Sequence, residues 1–201
     1  MEEKINQKQV WGSIAMSWNQ HRQKPLEEVK KFIEQAEGSI LDIACGSGRH
    51  LIKSNITGCD FSYEMLKLAK KKSEKISVSD ISYLPFKTNS FDNIIFAAAL
   101  HCVENQEKPV AEAFRVLKPE GKIIITVWNK FQPGLFRENN ITHRPWKVGD
   151  KIHMRYYKFV SAGKLKALLN KAGFNEIKIS YSRDKNLLFS KNIIGHAVKL
   201  Y

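Results

Sequence analysis

Three aspartates and one glycine-rich turn are the residues whose types and spacing first suggest chemistry. "LDIACGSGRH" (41–50) sets Asp42, Ala44, Gly46 and Gly48 at every second position, directly after an apolar run that reads as a buried strand. Glycines between a strand and a helix allow a ligand close to the backbone, and free N–H groups there attract negative charge. A dinucleotide fingerprint would place a small residue where Leu51 stands, and a P-loop would need Gly-Lys-Ser/Thr where Gly48 is followed by Arg49. The carboxylate of Asp42 is poorly suited to a pyrophosphate and well suited to a cationic ligand carrying an amino group.

Two further strand ends repeat the pattern. "ITGCDF" ends in Asp60, placed to take both hydroxyls of a ribose, and "ISVSDI" ends in Asp80, placed to accept from an adenine amino group with Ile81 beside the ring. A single aspartate at a strand end would mean little, because Asp is common where strands enter turns. Three of them, in register with a glycine turn, indicate one crevice and point to S-adenosylmethionine as the ligand. Phe61, Ser62 and Met65 after the second strand, and Ala98 after the fourth, are counted with the same site.

The elements that must position these residues read as strands alternating with helices. Strands are expected at 39–46, at "ITGCDF", at "ISVSDI", at "SFDNIIFAAAL" and at "KIIITVW"; helices at 62–75, capped by Ser62, and at "KPVAEAFRVLK", stopped by a turn at Pro119–Glu120–Gly121. The alternation implies a parallel sheet with helices on both faces. Residues 1–37 read as an amphipathic helical arm with Trp11, Ile14, Trp18, Val29, Phe32 and Ile33 as candidate buried positions. Residues 129–151 read as a loop too long for a routine connection and therefore a functional suspect. "SAGKLKALLNKAGF" reads as a capped helix ended by Gly173, and "NEIKISYSR" with "NLLFSKNIIGHAVKLY" as a closing hairpin. The expected organisation is one domain over 1–201: arm 1–37, cofactor-binding core 38–129, substrate-side insertion 130–159, and C-terminal helix and hairpin 160–201.

Charge adds a second clue. Thirty-three Lys and Arg against 20 Asp and Glu give a net charge of +13. That suits a polyanionic partner, since each cation set against a phosphate releases counterions, and it equally suits a lysine-rich soluble protein. No apolar run nears the roughly 18 residues that span a bilayer, and "MEEKINQKQV" lacks the apolar stretch of a signal peptide. Cys45, Cys59 and Cys102 form no CxxC pair, which fits a reduced cytoplasmic setting and no metal site.

"ILDIACGSGRHL", "GCDFSYEML", "SDISYLPF", "SFDNIIFAAALHCV" and "AFRVLKPEGKIIITVW" resemble the successive motifs of class I S-adenosylmethionine-dependent methyltransferases. "VWGSIAMSWNQHRQKPLEEVKKFI" (10–33), "VWNKFQ", "RPWK" and "RYYKFVSAGKLKALLNKAGF" resemble the tRNA wobble-uridine carboxymethyl methyltransferases, which esterify 5-carboxymethyluridine at anticodon position 34. The resemblance implies a Rossmann-like class I methyltransferase fold: an α/β, mostly parallel seven-stranded sheet with a C-terminal antiparallel hairpin. It also implies tRNA as substrate and a small zinc-binding activator subunit, for which the third strand, normally a sheet edge, offers a place. Departures are Ala44 for the usual first glycine, His101-Cys102 for a pair of histidines, "PEG" for "PGG", and a short crossover between the first two strands.

A carboxylate acceptor is already ionised near neutral pH, so it needs a clamp and no general base. Arg22, His101 and Arg155 are the expected clamp, drawn from the arm, the fourth strand end and the late segment. Each has a plainer reading: an exposed arm residue, a satisfied structural histidine, a strand-edge arginine. Trp18, Trp128, Trp146, Tyr156 and Tyr157 are candidates to stack an unstacked base, with His21 and Arg144 beside them. Trp11, Trp18 and Tyr157 also read as packing residues, and Trp146, in the basic stretch "THRPWK", as a nucleic-acid contact. Two alternatives stand beside the tRNA enzyme: a methyltransferase of a small carboxylic acid or quinone precursor, and an inactive cofactor-binding subunit that holds RNA or protein.

Overall fold

The computed structural model describes residues 5–131, 134, 135, 137–182 and 190–201. Its main sheet contains seven strands: β1 (Ile40–Ile43), β2 (Ile56–Asp60), β3 (Ile76–Val78), β4 (Phe91–Ala97), β5 (Leu117–Trp128), β8 (Asn175–Tyr181) and β9 (Asn192–Val198). They run in the order β3-β2-β1-β4-β5-β9-β8. β3, β2, β1, β4 and β5 are mutually parallel, and β9 is antiparallel to both β5 and β8. The chain moves outward from β1 to β2 and β3, then returns to lay β4 on the other side of β1. The carboxyl ends of β1 and β4 therefore diverge into a crevice, the usual ligand position in an open parallel sheet.

Central strands are buried on both faces, so side-chain alternation assigns each residue to one of two cores. Leu41, Ile43, Ile94, Phe96, Ile123 and Ile125 pack with α4 (Glu107–Val116) and α5 (Ala162–Ala172). Ile40, Ile95, Ala97 and Ile124 pack on the other face with α2 (Glu27–Gln35) and α3 (Tyr63–Ala69). Full burial of each such aliphatic side chain contributes about 1.5–3 kcal/mol. The helix limits follow local chemistry: Ser62 Oγ accepts the Met65 N–H at 3.3 Å, Ser161 Oγ accepts the Lys164 N–H at 3.1 Å, and Gly173 ends α5 at φ +101°.

The crossover from β1 to β2, read as short, contains turns and no helix, and so does the β3–β4 connection. Two local expectations are revised. The turn expected at 119–121 is a kink inside β5, with Glu120 at φ +62°. The stretch read as a long loop is a two-stranded antiparallel ribbon, β6 (Ile141–Val148) and β7 (Lys151–Lys158), separate from the main sheet. Its inward positions are Thr142, Arg144, Trp146 and Val148, so the alternation carries little apolar signal and hides the strand.

The arm is two helices, α1 (Gln7–His21) and α2, joined by residues 22–26. Ile14, Val29, Phe32 and Ile33 are buried as expected, whereas Trp11 and Trp18 are only half-buried. α1 lies against the ribbon. Tyr156 N–H donates to Gln7 Oε1 at 2.9 Å, Gln7 Nε2–H donates to the Met154 carbonyl at 3.2 Å, and Trp146 Nε1–H donates to Ser17 Oγ at 3.2 Å. Segment 183–189, where the closing hairpin turns and its second strand was expected to start, and Gln132, Pro133 and Phe136 of the insertion lie outside the described residues. Among the described residues no helix is long and apolar enough to cross a membrane, and no group of His, Cys, Asp and Glu is placed to hold a metal ion.

Candidate functional site

A cavity of about 940 Å³ opens where β1, β2 and β4 end, floored by the sheet and roofed by α1 and the β6–β7 ribbon. That volume lies within the range of small-molecule and cofactor sites. At the donor end the floor is the glycine turn. Ala44, Gly46 and Gly48 all have left-handed backbone, at φ +56°, +56° and +77°. A Cβ on Gly48 would stand 2.9 Å from Leu51 Cδ1 and 3.2 Å from the Ala69 backbone, so that glycine lets the turn pack on α3. A Cβ on Gly46 would meet nothing within 4 Å and would project into space that a ligand can fill. Ala44 holds the same conformation with a Cβ, at a cost of about 1 kcal/mol.

Asp60 joins the end of β2 to this turn. Its Oδ2 accepts the Gly46 N–H at 2.9 Å and its Oδ1 accepts the Ser62 N–H at 2.9 Å. Burial pushes its carboxyl up to about 6, partly offset by the Ser62 and Gly46 N–H groups, with the Asp42 charge adding to the rise. Asp80 is exposed at the rim, its Oδ1 accepting the Ser82 N–H at 2.7 Å, with Ile81 buried beside it. Asp42 does not line the cavity. It lies beneath the turn, 1% exposed, with Oδ2 lacking any hydrogen-bond partner and the His50 Nδ1 3.7 Å away.

The acceptor end is aromatic. His101 is fully buried between two roughly parallel rings, Trp128 at 5.1 Å and Tyr157 at 5.7 Å. Its Nδ1 accepts the Trp128 N–H at 3.3 Å, and burial pushes its pKa down to about 3. The ring is therefore neutral with its proton on Nε2, and that N–H has no partner among the described residues. Arg155 is 5% exposed. Its guanidinium lies 4.9–5.3 Å from the rings of Trp146, Trp18 and Tyr157. Nη1–H donates to the Tyr157 hydroxyl at 2.7 Å and Nη2–H to the Pro145 carbonyl at 3.3 Å, while Nε–H is buried without a partner. Desolvation lowers its pKa below the ordinary arginine value, but an arginine stays charged. Arg155 has no carboxylate partner among the described residues.

Of the residues singled out from sequence, Ala44, Gly46, Asp60, Phe61, Met65, Asp80, Ile81, Ala98, Trp18, His21, Arg22, His101, Trp128, Arg144, Trp146 and Arg155 all line this one cavity. Four do not. Asp42 lies under the turn, Gly48 within the turn is packed toward Leu51 and Ala69, and Ser62 is occupied as the cap of α3. Tyr156 faces away from Arg155 and Tyr157 because neighbouring strand residues alternate, and it packs on His143 instead. Trp146 lines the cavity with its indole N–H bound to Ser17 Oγ and its ring 5.0 Å from Trp18. Arg144 bonds to the Gly134 carbonyl and pairs with Glu138. Tyr157, a stacking candidate that also read as a packing residue, lines the cavity, and sequence reading missed Arg49, which stands within the motif itself, where it served only to exclude a P-loop.

The family model for a methyltransferase domain matches residues 41–125. An uncharacterized protein of Methanocaldococcus jannaschii is 32% identical over 194 residues, covering 90% of this chain and 76% of that one. The ubiquinone/menaquinone biosynthesis C-methyltransferase of Rickettsia bellii is 33% identical, covering 81% and 78%. The chain belongs to the class I S-adenosylmethionine-dependent methyltransferases. The tRNA (carboxymethyluridine(34)-5-O)-methyltransferase of Arabidopsis thaliana is 35% identical over 127 residues, covering 59% of this methyltransferase but only 31% of the plant enzyme. Among solved structures, an S-adenosylmethionine-dependent methyltransferase of Thermotoga maritima superposes with a TM-score of 0.71 at 22% identity, covering 95% and 99% of the two chains. A methyltransferase of Haloferax volcanii in complex with the Trm112 activator superposes at 0.68 with 15% identity, covering 99% and 100%. The methyl donor is S-adenosylmethionine, and the open space over Gly46 and the buried Asp60 at the cavity wall fit it.

Proposed function

We propose that this methyltransferase esterifies a carboxylate, and that the carboxylate is the 5-carboxymethyl group of a wobble uridine in tRNA. The observation that carries the reading is the pair of buried, unpartnered donors, His101 Nε2–H and Arg155 Nε–H, at the acceptor end of the cavity. A buried donor without a partner costs about 1–3 kcal/mol, and an acceptor-only group removes that cost at both nitrogens. The bound donor supplies an electrophilic methyl on a sulfonium, open to in-line displacement by an acceptor oxygen. His101, held near 3, is too weak a base to take a proton at neutral pH, and burial keeps the neighbouring Cys102 thiol protonated by raising it to about 12. An acceptor that arrives ionised suits such a site better than one that must first lose a proton.

In this assignment Asp60 takes the ribose hydroxyls, Asp80 and Ile81 the adenine, and His101 with Arg155 the acceptor carboxylate, while Asp42 stays beneath the turn and touches no part of the donor. Trp18, Trp128, Trp146 and Tyr157 enclose the acceptor base. The net charge of +13, the arm motif at 10–33 and the plant tRNA methyltransferase relative support tRNA as the carrier. One observation favours a small-metabolite acceptor instead: the chain spans 78% of the Rickettsia quinone-pathway enzyme but less than a third of the plant tRNA enzyme. β3 is an edge of the main sheet with Val78 half exposed, a place where a small zinc-binding activator subunit would add a strand.

The deciding experiment supplies labelled S-adenosylmethionine with either tRNA or a metabolite extract, with and without the activator subunit, and identifies the labelled product by mass spectrometry. Alkali-labile label in a tRNA nucleoside is the expected result. Label confined to small molecules refutes the tRNA assignment.

A further inference from the structure

The acceptor end of the cavity holds more positive charge than one carboxylate can neutralise. Arg144 and Arg155 are direct partners across the β6–β7 ribbon, and both line the cavity from its inward face. Like charges set opposite each other on one face of an antiparallel pair destabilise it. Arg22 reaches the same place from the end of α1. Its guanidinium lies 4.8 Å from the Trp18 ring, and that of Arg155 lies 5.3 Å from the same ring. Burial lowers the Arg155 pKa, and the charges of Arg144 and Arg22 lower it further. The described carboxylates that line the cavity, Asp60 and Asp80, stand at its donor end. Among the described residues Glu138 is the one carboxylate paired with any of the three arginines, 3.4 Å from Arg144 Nη1. Arg144 Nη1–H donates to the Gly134 carbonyl and Arg22 Nη1–H to the His21 carbonyl, each at 3.1 Å. The other N–H groups of both guanidiniums have no hydrogen-bond partner among the described residues. Two cations remain once Glu138 is counted, and a carboxylate held by His101 and Arg155 neutralises one of them.

We propose that Arg144 and Arg22 receive a second anionic group of the acceptor, a phosphodiester of the chain that carries the methylated nucleoside. The proposal rests on the carboxylate reading above. It moves Arg22 from the carboxylate clamp to the phosphate and leaves the carboxylate to His101 and Arg155. Burial separates the two anion positions. Arg155 is 5% exposed, whereas the Arg144 side chain is 30% exposed. A polynucleotide must run its backbone past the site and out again, so its phosphate belongs at the half-exposed arginine. A carboxylate that ends a side group can lie at the buried one. Guanidiniums offer paired N–H groups that match phosphate oxygens, and here one comes from the ribbon and one from the arm. The acceptor class that follows is a nucleotide within a chain, preferred over a free nucleoside bearing the same carboxylate.

Calorimetry on the full chain saturated with S-adenosylhomocysteine compares three ligands: 5-carboxymethyluridine, its 3′,5′-bisphosphate, and a trinucleotide carrying the same nucleoside at its centre. The bisphosphate and the trinucleotide are expected to bind about ten- to hundredfold tighter than the nucleoside, the range of charge-assisted hydrogen bonds. R144Q and R22Q each lower that preference, the double variant brings it near one, and R144K keeps more of it than R144Q. E138Q separates phosphate binding from structural pairing: it releases Arg144 from its carboxylate and keeps or raises the preference. Nucleoside binding, read in the same titrations, shows that each variant is folded. Equal affinity for nucleoside and bisphosphate, or an unchanged preference in the double variant, overturns the proposal. So does a fall in E138Q equal to that in R144Q, or binding of the bisphosphate without binding of the trinucleotide. Uridine 3′,5′-bisphosphate that binds as tightly as its carboxymethyl form refutes the carboxylate reading itself, a different failure from loss of the phosphate preference.

Discussion

Asp60 makes donor binding depend on pH in a way that can be worked from its surroundings. The side chain is 5% exposed, and burial raises its carboxyl from 3.8 to about 6. Asp42 is the charged side chain that acts on it, and the nearby thiols of Cys45 and Cys59 are kept protonated by burial. Because the folded pKa is raised, the native state binds this proton more tightly than the unfolded chain. Stability from this group is therefore present below 3.8 and is lost as pH rises through 6. The rise from 3.8 to about 6 corresponds to about 3 kcal/mol. Donor binding has the opposite sign, because hydroxyls donate to the ionised carboxylate. With the carboxyl at about 6, only about a tenth of the protein is ionised at pH 5, so the donor Kd should rise about tenfold between pH 7.5 and pH 5. All four tryptophans line the cavity, so intrinsic fluorescence reports binding directly. D60N should bind weakly with a flat pH profile, and the stability of D60N relative to wild type should grow by about 2.4 kcal/mol between pH 4 and pH 7. A wild-type Kd that stays constant from pH 7.5 to 5 would show that Asp60 is not the ribose ligand or is not buried as described.

The other expectations are simpler to read. H101F keeps the stacked ring but removes the Nε2–H donor, so turnover should fall by about 10²–10³ while donor Kd changes less than about threefold; a matching loss of donor affinity would move His101 out of the acceptor site. Gly46 and Gly48 should separate in thermal melts and donor titrations. G46A has open space and should lose donor affinity with about 1 kcal/mol of stability, whereas G48A meets Leu51 and the Ala69 backbone and should lose about 1–3 kcal/mol. Lys199 is buried with Nζ donating to Asn89 Oδ1 at 2.7 Å, to the Leu117 carbonyl at 2.8 Å and to the Phe114 carbonyl at 3.0 Å, tying the chain end to the end of α4. K199M should cost about 1–3 kcal/mol, or about 2–10 °C in Tm, and leave donor affinity intact.

The donor site was legible in the sequence because its signals are local. A strand end, a glycine pair and an aspartate at the next strand end are each fixed by a few neighbouring residues, and the order of strands brings them to one edge of the sheet. The run of apolar residues in β1, β4 and β5 was enough to imply two-sided burial, and Ser62, Ser161 and Gly173 stand at the helix limits they signal. The acceptor site was only half legible. Arg22, His101 and Arg155 could be named from the resemblance, but residue type does not reveal that His101 is neutral or that Arg155 is enclosed by three rings.

What the chain order alone determined is therefore the sheet, its helices and the aspartates at its carboxyl edge, since short-range periodicity and capping specify them. What only the tertiary structure decided is the acceptor chamber. The β6–β7 ribbon turns Arg144, Trp146, Arg155 and Tyr157 inward, and α1 meets it through contacts such as Trp146 to Ser17, far apart in sequence. Burial of a charge and the loss of a proton from His101 both depend on which distant segments exclude water, and no local pattern encodes that.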